Sequence, residues 1–206
     1  MVFSEGFRKP RALMTAKRMV DVVSAAAGVV IGAPLFVMVA AVIRMTSAGP
    51  VFYHQKRVGE RGRHFRLHRF RTMRTDAEAA TEAVIAAEQD VRVTPVGHVL
   101  RKTRLDELPQ LWNILRGEMS LVGPRPERPE FVKDLTEEIP FYGQRHVVKP
   151  GLTGWAQVRY SNAATVADTM ETLQYDLFYI KNLSMVLDLL IVFSTVKTVL
   201  RREGAR

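Results

Sequence analysis

Residues 22–43 form a stretch of 22 positions without a charge. A helix needs roughly 20 such residues to cross a bilayer's hydrocarbon core. After Gly49-Pro50 the texture changes. Residues 51–57 and 64–71 flank a turn containing Gly59 and Gly62, and Phe65 and Leu67 alternate with polar neighbours, which predicts a short β-hairpin. Residues 77–89 are rich in alanine and glutamate and read as helix, and residues 95–102 as another, with Thr94 as its cap. Leu108, Leu111, Trp112 and Leu115 recur at helical spacing, with Asp106 as N-cap, Pro109 in the first turn and Gly117 as terminator. Residues 123–129 and 150–154 read as a stiff loop and a turn-rich loop. Residues 165–180 predict a helix. Residues 184–201 predict a strongly apolar one, with Val186, Leu189, Leu190, Phe193 and Val196 on one stripe.

The pattern is therefore mainly α with a small β-hairpin. It divides into an N-terminal basic flank and membrane helix, 1–47, and a catalytic or binding unit, 48–206. Asp188 and Lys197 argue against a second span, leaving the last helix either in the membrane interface or in the core of the globular unit.

Charge complicates the first helix. Arg8, Lys9, Arg11, Lys17 and Arg18 precede it, and Arg44, Lys56, Arg57, Arg61 and Arg63 follow. The positive-inside rule places both flanks in the cytoplasm, which one straight span cannot do. Pro34 interrupts the helical hydrogen bonds near the middle, so a bent, re-entrant helix is one solution and a kinked spanning helix the other. The apolar run is too long for a secretory signal and reads as a retained anchor. A net charge of +9 and a pI near 10.2 favour anionic partners: nucleic acid, anionic lipid or phosphorylated substrates. With no cysteine, disulfides, thiolate metal sites and cysteine nucleophiles are excluded.

The candidate chemistry lies in residues 101–126. Asp106 and Glu107 are adjacent carboxylates preceded by Arg101, Lys102 and Arg104, and Arg125 is locked between Pro124 and Pro126. Two carboxylates suit a hard cation that shares phosphate oxygens, and the arginines suit bidentate phosphate contacts. An Asp before a helix is more often only a cap; the surrounding cations change that weighting. No Walker A sequence and no Gly-rich dinucleotide turn is present. His64 and His68 lack the glutamate of a zinc-protease helix. Phe65 and Phe70 on the basic hairpin would suit base stacking, but beside a lipid anchor that surface fits phosphate and headgroups better, so no nucleic acid is expected.

These residues resemble the bacterial sugar transferases, the monotopic phosphoglycosyl transferases. The resemblance runs from KRMVD (17–21) through GPVFYHQKRVG (49–59), FRTM (70–73) and RVTPVGHVLRKTRLDELPQLWNILRGEMSLVGPRPE (92–127). It continues in KPGLTGWAQV (149–158) and YDLFYIKNLSMVLDL (175–189). It implies a monotopic membrane enzyme held by a re-entrant helix on the cytoplasmic face of the bacterial inner membrane. Such an enzyme moves a sugar-1-phosphate from a nucleotide diphosphate sugar, usually a UDP-sugar, to polyprenyl phosphate, releasing UMP. It further implies Asp106 as covalent nucleophile, Glu107 as its catalytic partner and Mg2+ as cofactor on Glu107 and Asp106. Arg69, Arg71, Arg101, Arg104 and the loop Pro124-Arg125-Pro126 are the expected substrate-binding residues. Membrane lipids are expected partners, and a homo-oligomer is compatible. Three positions depart from the family pattern: Arg69 stands where lysine is common before FRTM, Ala33 where serine often precedes the kink proline, and Arg159-Tyr160-Ser161-Asn162 where Asn-Gly-Arg is often seen. The rival reading is a membrane-tethered basic protein that binds nucleic acid or anionic lipid.

Overall fold

The structure is a computed structural model that describes residues 9–75, 90–160 and 165–201. The helix expected at 77–89 lies outside the described residues. Helix α1, Arg11–Thr46, is continuous through Pro34 over 36 residues, about 54 Å at 1.5 Å per residue. Among the described residues it is the one helix long and apolar enough to cross a membrane.

This helix is not a free-standing anchor. Lys17, Asp21, Ala25, Val39 and Ile43 are buried at intervals that return to one face. Ala25 packs with Phe65, Leu67, Leu111 and Ile114. About four turns further on, Val39 and Ile43 pack with Phe70 and Leu100. Polar groups strengthen both ends of the contact. Lys17 donates to Asp188 at 2.6 Å, Asp21 accepts from Ser120 Oγ and from the Leu121 amide, and Arg71 donates to the carbonyls of Ser47 and Ala48. The opposite face, including Val23, Val30, Ile31, Val37 and Met45, is apolar and exposed.

Strands β1 (Phe52–Val58) and β2 (His64–Phe70) form the expected antiparallel hairpin, with Phe52 opposite Phe70 and Val58 opposite His64. Its inward residues, Phe65, Leu67 and Phe70, are buried. Helix α2 (Pro95–Thr103) has Pro95 at its start, and Thr94 accepts from the Gly97 amide as its cap, as expected. Helix α6 (Val166–Lys181) starts with a capping box between Thr165 and Asp168.

Three expectations need correction. Asp106 does not cap the next helix: it lies inside a 3-10 turn, Leu105–Glu107, and α3 proper is Gln110–Arg116. Of the Leu108–Leu111–Trp112–Leu115 stripe, Leu111 is buried and Leu108 and Leu115 pack partly buried against the core, but Trp112 turns outward at 54% exposed while Asn113 and Ile114 are buried in its place. The reason is tertiary: α3 turns Leu111 onto Gly28 of α1, and the Asn113 side chain bonds the His68 amide and the Arg66 carbonyl of β2. Finally, residues 150–154 are not merely a turn. Strand β4 (Gly151–Thr153) pairs in parallel with β3 (Ser120–Val122), a partner about 30 residues away that local pattern cannot reveal.

Helix α4 (Pro129–Glu138) follows the proline loop, and α5 (Trp155–Arg159) follows β4. Helix α7 (Met185–Arg201) buries Asp188 and Ile191 but leaves Val186, Leu189, Leu190, Phe193 and Val196 exposed. The stripe read from sequence is thus the outward one.

Candidate active site

The acid pair is placed by a forced reversal. Helix α2 ends at Arg104, which adopts the left-handed conformation at φ 56°, ψ 18°. A non-glycine residue there costs roughly 1 kcal/mol, so the surrounding packing must hold it. The chain then turns tightly through Leu105–Glu107 and brings both carboxylates against β2. Arg69 of β2 meets them, with Nη2 donating to Glu107 Oε1 at 3.1 Å and Nη1 lying 3.8 Å from Asp106 Oδ2. Arg125 of the proline loop donates to the same Glu107 oxygen at 3.5 Å.

The two carboxylates are electrostatically unlike. Asp106 is only 5% exposed. Burial, reinforced by the charge of Glu107, pushes its pKa up to about 6 against the pull of Arg69, Arg101 and Arg125. Burial acts upward on Glu107 too, but Arg69, Arg125 and Arg104 together outweigh it and hold that carboxyl below its usual range. Glu107 is therefore a fixed anion, while Asp106 carries a charge that the site does not fully compensate. No hydrogen bond among the described residues reaches the Asp106 carboxylate, and Glu107 Oε2 accepts none. Such oxygens fit Mg2+, which takes one or two carboxylates together with substrate phosphate oxygens and water. Among the described residues, no group of three or more His, Cys, Asp or Glu could enclose a metal, so a metal held here would depend on the substrate for ligands.

The loop Pro124-Arg125-Pro126 is held by its carbonyls. Pro124 O accepts from the Gly151 amide at 2.9 Å. Arg125 O accepts from Arg145 at 3.1 Å. Pro126 O accepts from Arg57 at 2.9 Å, and Glu127 O from the Val58 amide at 2.9 Å. The Arg125 side chain stays 41% exposed and faces the acid pair. Buried donors Arg57 Nε, Arg69 Nε and Gln110 Nε2 have no acceptor among the described residues. Unsatisfied N–H groups on this hairpin and in the first turn of α3 suit a multiply charged oxyanion.

Of the residues expected in the site, Asp106, Glu107, Arg69 and Arg125 come together. Arg101, at the end of α2, donates Nε to Thr72 Oγ1 at 3.0 Å and is close enough for its charge to act on Asp106. Arg104 serves the turn itself. Arg71 is buried and commits both terminal nitrogens to Ser47 and Ala48 beyond the end of α1. Arg57, Arg145 and Asp176 were not singled out from sequence. Their site roles carry no local signal, because the loop carbonyls and the ion-pair partner they meet lie 20 to 69 residues away.

This geometry coincides with a family match. The model described as "Bacterial sugar transferase" matches residues 12–202.

The chain belongs to the bacterial sugar transferase family.

It is 47% identical over 190 residues to a UDP-N-acetylgalactosamine-undecaprenyl-phosphate N-acetylgalactosaminephosphotransferase of Aeromonas hydrophila, covering 92% of this chain and 45% of that protein. It is 42% identical to a UDP-glucose:undecaprenyl-phosphate glucose-1-phosphate transferase of Xanthomonas campestris pv. campestris, covering 84% of this chain and 36% of that one. This sugar transferase chain thus spans less than half the length of these two relatives. It is also 39% identical to the exopolysaccharide production protein PSS of Rhizobium leguminosarum bv. phaseoli, with 90% of this chain and 96% of that protein covered.

Proposed function

We propose that this sugar transferase moves a sugar-1-phosphate from a UDP-sugar to polyprenyl phosphate at the cytoplasmic face of the bacterial inner membrane. The observation that carries the proposal is the buried Asp106, under-compensated and without a hydrogen bond from the described residues, in an acid pair that Arg69 and Arg125 flank and where they can hold a diphosphate. In the reaction, a carboxylate oxygen of Asp106 attacks the sugar-bearing phosphorus. The bond from that phosphorus to the bridging oxygen breaks, and UMP leaves with the electron pair. An oxygen of polyprenyl phosphate then attacks the same phosphorus. The phosphorus–Asp106 bond breaks, the carboxylate is restored, and the product is a polyprenyl diphosphate sugar.

Arg125 and Arg69 orient the phosphates and counter the charge that develops on them. Mg2+, for which Glu107 and Asp106 are the fitting residues, would offset diphosphate charge. One phosphoanhydride replaces another after two steps, so the overall transfer is close to balanced and reversible. The packing of both ends of α1 on one globular unit supports a re-entrant, monotopic anchor. A helix that crossed the bilayer would carry one end away from the site residues it contacts. The exposed apolar stripe of α7 supports seating in the same interface.

The test uses UDP-N-acetylgalactosamine and UDP-glucose first, the donors named for the relatives. With donor alone, the covalent route releases at most one equivalent of UMP per site and leaves a phospho-sugar adduct on the Asp106 peptide. Transfer to lipid that yields no UMP before lipid is added, and no adduct, establishes direct transfer instead. A chain that labels no lipid from any UDP-sugar but retains nucleic acid would support the tethered basic protein.

A further inference from the structure

The loop that presents Arg125 contains two prolines with no N–H to donate, so it cannot form its own ladder and must be positioned through its carbonyls. Three of the four donors that do this come from β4 or from the hairpin, elements already packed into the fold. The fourth is different. Arg145, only 4% exposed, lies in the 3-10 segment Tyr142–Val147. Its Nη2 is shared between Arg125 O at 3.1 Å and Asp176 Oδ2 at 2.8 Å. Its Nε also reaches Asp176 at 3.1 Å, and Nη1 donates to the Tyr142 hydroxyl at 2.6 Å. Asp176, on α6, is 2% exposed.

Burying a guanidinium and a carboxylate is costly, and matched apolar residues often replace such pairs with no loss of stability. What apolar residues cannot supply is a donor to the Arg125 carbonyl. We propose that Arg145, held by Asp176, is the positioning residue that sets the main chain of Arg125 and so aims its side chain at Glu107 and the substrate phosphates. The pair touches no reacting group. It acts through Arg125, and this inference rests on the transfer reaction proposed above.

The experiment is a double-mutant cycle on the full chain, following radiolabelled sugar-phosphate transfer to undecaprenyl phosphate, with thermal unfolding of each variant. Arg145→Lys keeps the charge beside Asp176 but loses the planar fork that serves both acceptors. In the wild-type background it should lower kcat/KM by about 10- to 100-fold, the scale of a misplaced binding group. In an Arg125→Ala background the same change should cost less than about threefold, because the side chain being aimed is gone. Equal losses in both backgrounds, or no loss in the first, would overturn the proposal. Arg145→Met combined with Asp176→Leu, which removes both charges, should fold and show the same background dependence. If this pair retains wild-type turnover, the proposal is equally overturned. A wild-type chain inactive with every donor sinks the reaction assignment, whereas an active one with additive losses sinks the positioning role alone.

Discussion

Asp106 shows at residue scale how a buried carboxylate is held at the expense of stability. Its pKa is raised to about 6 from 3.8 in the folded chain, so between those values the native state binds more protons than the unfolded one. Stability therefore falls as pH rises from about 4 towards 6 and stays reduced above. Asp106→Asn removes the charge, keeps the size, and should stabilise the chain at pH 8 by an amount on the order of 3 kcal/mol. The gain should vanish near pH 4, while transfer is abolished. Unfolding of both proteins in one detergent across that range checks this, and an Asn variant less stable than wild type at pH 8 would contradict it. With Asp106 as the proposed nucleophile, the same shift predicts that kcat/KM falls as pH drops through about 6, where its carboxylate becomes protonated, or at a lower pH if Mg2+ is bound. Glu107, held anionic by its arginines, contributes no such limb in that range.

Elements decide where the proline loop sits. The parallel pairing of β3 with β4 is short, yet it connects Ser120 to the Pro150 carbonyl and Gly151 to the Pro124 carbonyl. A Cβ at Gly151 would lie 2.1 Å from the Gly123 amide nitrogen and 2.3 Å from the Thr153 carbonyl oxygen. Gly151→Ala should therefore push β4 off β3, with destabilisation of about 1–3 kcal/mol as in other overpacked sites. Transfer should fall at the same time, since the loop loses one of its four tethers. Retained activity with an unchanged melting midpoint would show that the loop is held without β4. Helix α3 makes the complementary point. Its outward Trp112 and inward Asn113 follow from what α1 and β2 present to it, and not from helical periodicity alone.

At the scale of the molecule, α1 is the spine on which the site is assembled. It contacts α7 through Lys17, β3 through Asp21, the C-terminal carbonyls of α3 through Arg18, and the hairpin near its far end. Lys17→Met alone leaves Asp188 buried without its cation and should cost about 3–5 kcal/mol; thermal unfolding beside Lys17→Met/Asp188→Leu, which should recover most of the loss, measures it. The arrangement also predicts topology. The chain contains no cysteine, so Arg11→Cys and Glu137→Cys each introduce a single thiol at an exposed position. Both should resist an impermeant thiol reagent in intact cells and react after lysis. Labelling of the Arg11 position from outside would make α1 a spanning helix.

Much of this was legible in the chain. The long apolar run, the alternating hairpin, the Thr94 cap, the helix from 165 and the Asp106-Glu107 pair all depend on contacts within a few residues, where side-chain period and backbone preference dominate. The family motifs added the expected role of Asp106. What the sequence did not disclose are the relations between distant segments: β3 beside β4, Arg145 beneath Arg125, Arg71 turned away to the end of α1, and Asn113 of α3 turned onto β2 while Trp112 faces out. Those are settled by burial and hydrogen-bond satisfaction across the whole fold, because a donor 20 residues away leaves no local trace in the segment that accepts its bond. The sequence by itself determined which groups can do phosphoryl chemistry. The tertiary structure decided which carboxylate is buried short of compensating charge, which arginines face it, and how the loop that carries Arg125 is held in place.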